Sequence, residues 1–161
     1  MHNFIFEVAE APVPQNAILT AESVPSWFQE ERADAVSDVS DALRDDAIHN
    51  FVKCFGGACT RQGDALSFDA CAKREYFEKS YDRFHAAADK LRAVTLPAFC
   101  GDEDYRSCAD LMYQLQSLYD AHDATYIYLR KTGDILTMDH WVRTSVLSGP
   151  FFIGGVVDYH C

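Results

Sequence analysis

Apolar and polar positions recur with different periods along the chain, and the changes of period mark its elements. Residues 3–8, NFIFEV, are aromatic and β-branched with Asn3 and Glu7 as polar members, and predict a strand. Pro12, Pro14 and Pro25 make residues 11–28 an extended, irregular connection. Val36, Val39, Leu43, Ala47 and Phe51 then recur at three- and four-residue spacing. That is one face of a helix, expected from about Glu30 to Lys53 and ended by Gly56-Gly57. Within residues 58–68, short β-type runs flank a Gly63-Asp64 turn, as in a small hairpin.

A second helix starts near Asp69, with Phe77, Tyr81, Phe84, Ala88 and Leu91 as its expected buried stripe. Pro97 breaks it or opens a short extra turn. A third starts near Gly101, where Asp102, Glu103 and Asp104 suit the positive end of a helix dipole. Its apolar stripe is Cys108, Leu111, Leu115, Leu118 and His122. Residues 125–130 alternate as a strand, and Lys131 to Asp134 are turn chemistry. Met138, Trp141, Val142 and Val146 fit a short helix ended by Ser148-Gly149-Pro150. Residues 151–159 are apolar on both faces, which fits a strand covered on both sides, and His160-Cys161 after them is read as a chain end rather than a site. Gly154-Gly155 in mid-run point to a bulge or a closely approaching backbone. The expected architecture is one α+β domain over residues 1–161. A small antiparallel or mixed sheet of N- and C-terminal strands packs against three long helices.

The chain has 161 residues, enough for one domain with a sizeable core. Its 14 basic and 25 acidic residues give a net charge of −11. A surface of that sign repels nucleic-acid phosphates and anionic membranes, and favours the basic surface of another protein as partner. No apolar run is long enough for a membrane span, and the first residues lack the basic, then apolar, pattern of a signal peptide. The expected location is therefore cytoplasmic. The six cysteines, at 54, 59, 71, 100, 108 and 161, are expected as thiols there.

Charge is concentrated in one stretch. From Glu22 to Asp46 there are eight acids against Arg32 and Arg44, which is −6 of the −11. On a continuous helix, Glu30, Asp34, Asp38, Asp41 and Asp45 fall within a sector of about 80° and form a stripe of about 22 Å, widened by Glu31 and Asp46. Like charges at this spacing cost a helix roughly 0.2–0.5 kcal/mol per pair. The bland reading is a solvated outer face. The functional reading is an acidic binding face of Glu30, Glu31, Asp34, Asp38, Asp41, Asp45 and Asp46 that meets a basic groove or imitates phosphates.

Other chemistry is weakly signalled. His49, Cys54 and Cys59 form H-x4-C-x4-C, which lacks the paired tight knuckles of structural zinc sites, so no metal or cofactor is expected. Cys71 lies near a helix start, but no nucleophile elbow, phosphate loop or zinc-protease motif accompanies it, and no catalytic residue is assigned. The leading expectation is a non-enzymatic, acidic protein-interaction domain. In size and charge it resembles the small acidic inhibitors of nucleic-acid-handling proteins, of antirestriction or anti-CRISPR type, carried by phages and mobile elements. The alternative is a small cytosolic enzyme, or a redox or metal sensor using Cys and His.

Overall fold

The computed structural model describes residues 3–101, 105–119 and 124–161. The chain divides into two compact units: residues 1–76 with 122–161, and residues 77–121. The class is α+β, as the periodicity predicts, with seven strands and six helices among the described residues.

The sheet grows around the two segments with the strongest β-type composition. β1 (Asn3–Ala9) lies between β5 (Thr125–Leu129), to which it is parallel, and β7 (Pro150–His160), to which it is antiparallel. β6 (Asp134–Thr137) pairs with β5 across the Lys131–Gly133 turn. The outer side of β7 is shared. Its first residues pair with β4 (Ala65–Phe68), which forms a hairpin with β3 (Cys59–Gln62), and its last residues pair with β2 (Ala35–Asp38). The sheet is therefore mixed, as expected, but larger than the small sheet of terminal strands anticipated from sequence.

Both faces of β1 and β7 are covered, which is why their sequences are apolar on both sides apart from Glu7 and Asp158 in their interiors. On one face Ile5, Val157, Tyr159 and Ile135 meet Leu19, Val24 and Phe28 from the proline-rich connection. That connection includes 3-10 turns at Gln15–Ala17 and Ala21–Ser23 and a short helix, α1 (Ser26–Glu31). On the other face Phe6 packs on Phe51 of α2 (Asp41–Lys53), with ring centroids 5.0 Å apart. Trp141 of α6 (Met138–Thr144) packs on Phe51, Phe68 and Phe151.

Two expectations need correction. Residues 30–53 are not one helix. α1 stops at Glu31, β2 takes Ala35–Asp38, and α2 begins at Asp41 with Ser40 as its N-cap, its hydroxyl accepting from the Leu43 N–H. Val36 packs against the core cluster from β2, so tertiary packing and strand pairing override the helical spacing. The second helix, α3 (Ala72–Arg92), forms as expected, but Tyr81 and Phe84 of its anticipated buried stripe are 60% and 41% exposed. In the second unit, α4 (Leu96–Cys100) is the extra turn opened by Pro97, capped by the Thr95 hydroxyl, and α5 (Tyr105–Tyr119) follows. Asp102, Glu103, Asp104, His122 and the side chain of Leu118 lie outside the described residues. No helix among the described residues is long and apolar enough to cross a membrane.

Candidate functional site

All seven acids of the anticipated binding face are exposed, but the broken helix distributes them over three elements. Glu30 and Glu31 end α1, Asp34 precedes β2, Asp38 ends β2, and Asp41, Asp45 and Asp46 lie on α2. The regular 22 Å stripe of a continuous helix is therefore absent. Two of the seven are engaged: Asp38 Oδ1 accepts from the Ala21 N–H at 2.7 Å, and Asp45 pairs with Arg61 at 2.7 Å. Glu30, Glu31, Asp34, Asp41 and Asp46 have no ion-pair partner among the described residues. Of the two arginines in this stretch, Arg44 is turned inward. Its guanidinium donates to Asp64 and to the carbonyls of Ile153 and Gly154.

The most elaborate polar structure is one the sequence did not single out. Between the pairs Phe6–Val156 and Val8–Ile153, β7 carries one extra residue, so Gly154 and Gly155 together face Glu7 of β1. Glu7 is fully buried on the face otherwise lined by Ile5 and Leu19. Its Oε2 accepts from the Leu19 and Gly155 N–H groups, each at 2.7 Å, and its Oε1 pairs with Arg130 at 2.5 Å. The same Arg130 nitrogen donates to the Ala17 carbonyl. A buried carboxylate is tolerated only when its lone pairs are met in this way. The network fastens residues 17–19 across the bulge. The glycines are required by space: a Cβ at 154 would stand 2.1 Å from Glu7 Oε2, and one at 155 would stand 2.0 Å from the Leu19 carbonyl oxygen.

Where β7 passes from β4 to β2, this arrangement leaves a cavity of about 340 Å³. Val13, Gln15, Ile18 to Thr20, the end of β2, the first turn of α2, Asp64 and the bulge line it. Asp38, Asp41, Asp64 and Arg44 supply its charge, and among the described residues no cysteine or histidine lines it.

The described cysteines and histidines lie elsewhere. Burial, then the nearby Asp139 charge, pushes the Cys54 thiol up from its ordinary value. Burial pushes Cys59 up to about 11. Neither is poised as a nucleophile at neutral pH, because the thiolate is the reactive form. The Tyr76 hydroxyl donates to Asp139 at 2.7 Å, and burial with that bond raises its pKa, so it stays a donor. His160 lies 3.5 Å from the nearly buried Asp158, and its carbonyl accepts from the Asp34 N–H, which ties the end of β7 to the start of β2. Among the described residues no group of three or more His, Cys, Asp or Glu is placed to hold a metal ion, so His49, Cys54 and Cys59 are not assembled as one. Cys54, Cys59, Cys71, Cys100, Cys108 and Cys161 are all unpaired thiols.

The chain matches no known family model, no characterised protein and no solved structure in comparisons of sequence and fold.

Proposed function

We propose that this chain is a non-enzymatic protein-interaction domain that presents the acids of residues 30–46 to a basic surface on another protein. The observation that carries the reading is the exposure of all seven acids, five of them without an ion-pair partner among the described residues, while the adjacent Arg44 is drawn inward. Unneutralised surface carboxylates repel one another, whereas they steer association with a partner of opposite sign. The cavity beside them adds Asp64 and an apolar wall to the same region. Within this class, the sharper proposal is an inhibitor of a nucleic-acid-handling protein, of antirestriction or anti-CRISPR type. Such proteins carry the basic grooves that an acidic surface fits, and a cytoplasmic setting goes with it.

The test is a variant carrying Glu30→Gln, Asp34→Asn, Asp41→Asn and Asp46→Asn. It should keep its melting temperature within a few degrees, since exposed charges contribute about 0–1 kcal/mol each. Partners captured from the source cell by the native chain should be lost by the variant, and lost from the native chain as salt is raised. Equal capture by both proteins at all salt concentrations would show that these acids are only a solvated face.

A further inference from the structure

We propose that the cavity at the β7 bulge is a socket for one basic side chain, lysine or arginine, projecting from the partner's surface. The inference rests on the protein-binding reading above and narrows it to a place. The cavity has the two parts such a side chain needs. Ile18, Leu19, Val39 and Val156 offer apolar wall for the aliphatic stem. Asp38, Asp41 and Asp64 stand around it for the cation.

The sign of the ligand follows from the charge count. Three carboxylates face one guanidinium, Arg44. The start of α2 adds about half a positive charge, so the cavity carries about −1.5. An anionic ligand would have to leave water for a net negative wall, whereas a cation reduces the imbalance. Arg44 does not fill this role, because its donors already reach Asp64 Oδ1 and the carbonyls of Ile153 and Gly154. Asp41 has no ion-pair partner among the described residues, and Asp38 uses one oxygen on the Ala21 N–H. Carboxylate oxygens therefore remain for an incoming ammonium or guanidinium. The floor is rigid, since Glu7 ties the bulge to Leu19 on one side of the cavity and β4 and β2 pin β7 at either end.

The experiment is a titration of the isotope-labelled chain, followed by amide chemical shifts, with four capped tripeptides: acetyl-Gly-X-Gly-amide with X as arginine, lysine, citrulline or norleucine. The arginine and lysine peptides are expected to shift the amides of Leu19, Thr20, Gly154 and Gly155. The citrulline peptide, which has nearly the shape of arginine without its charge, and norleucine should not. Asp41→Asn should weaken the basic peptides by about two- to fivefold, as for one partly exposed charge pair. The uncharged peptides keep the test independent of any effect that variant has on folding. Equal shifts from arginine and citrulline, or shifts confined to other regions, would overturn the socket. If the socket fails while a Glu30→Gln, Asp34→Asn, Asp46→Asn variant, which leaves Asp41 in place, still loses capture of basic partners, the binding reading stands without it. If both fail, the acidic face has no such partner.

Discussion

Replacing Gly155 by alanine is expected to cost the protein its cooperative fold. The added Cβ would stand 2.0 Å from the Leu19 carbonyl oxygen and 2.8 Å from the Leu19 backbone C and N. The obstacle is backbone, so no rotamer change relieves it. Overpacking a core costs about 1–3 kcal/mol when side chains can yield. Here residues 18–20 must lift, which releases the Leu19 N–H from Glu7 and strips cover from Ile5 and Val157. An orphaned buried donor adds about 1–3 kcal/mol. The sum is about 2–6 kcal/mol before the lost cover is added, which reaches the whole stability of a marginal domain. Gly154→Ala should be nearly as damaging through a different neighbour, the Glu7 carboxylate. Gly57→Ala is the control, since nothing lies within 4 Å of a Cβ there. It should change stability by no more than about 0.5 kcal/mol. Thermal unfolding followed by circular dichroism separates the three. A Gly155→Ala protein that melts within a few degrees of the native chain would show that residues 18–20 do not lie on the bulge.

Removing the Glu7 carboxylate is expected to have the second-largest effect, and the pattern across variants reveals its cause. Glu7→Ala leaves the Leu19 and Gly155 N–H groups without an acceptor and Arg130 without its partner. Breaking one side of a buried pair costs about 3–5 kcal/mol. Glu7→Gln keeps one oxygen for the two N–H donors but turns an NH2 toward the guanidinium, so an intermediate loss is expected. The Glu7→Leu/Arg130→Leu double variant decides what the carboxylate is for. If charge pairing were its whole role, apolar replacement of both partners would be nearly neutral. Because two backbone N–H groups depend on the same carboxylate, the double variant should stay well below the native chain in a denaturant titration. Full recovery of stability by the double variant would contradict this role.

Much of the fold is legible in the sequence because local composition and tertiary context agree. NFIFEV, TYIYL and the run from Phe151 to Tyr159 are β-type wherever they are placed, and they form the centre of the sheet. Gly63-Asp64 and Pro97 act locally, and the hairpin and the short helix appear where they predict. The acidic stretch failed for a physical reason. Val36 and Val39 match a helical repeat with Leu43 by coincidence of spacing, while Val36 finds its burial from a strand on the outer side of β7. Two signals pointed that way: Ser40-Asp41 is a helix start, and the repulsion along a continuous aspartate stripe weighs against one helix. Glu7 was legible only as the polar member of a strand. Its partners lie 12, 123 and 148 residues away, and no local pattern joins Glu7, Arg130 and Gly154-Gly155. The glycine pair did announce a bulge or a close backbone approach, and the structure contains both.

The most direct test of the binding account is hydrogen exchange on the isolated chain and on its complex with a captured partner, compared peptide by peptide. The acidic-face reading predicts that protection on binding falls on residues 30–46 and on the residues around the bulge cavity, and that it weakens with added salt. Leu96, Phe99, Met112 and Tyr113 of the second unit are 74%, 69%, 59% and 75% exposed, and they offer an apolar alternative. Salt-insensitive protection centred on residues 96–113, with exchange over 30–46 unchanged, would contradict the account.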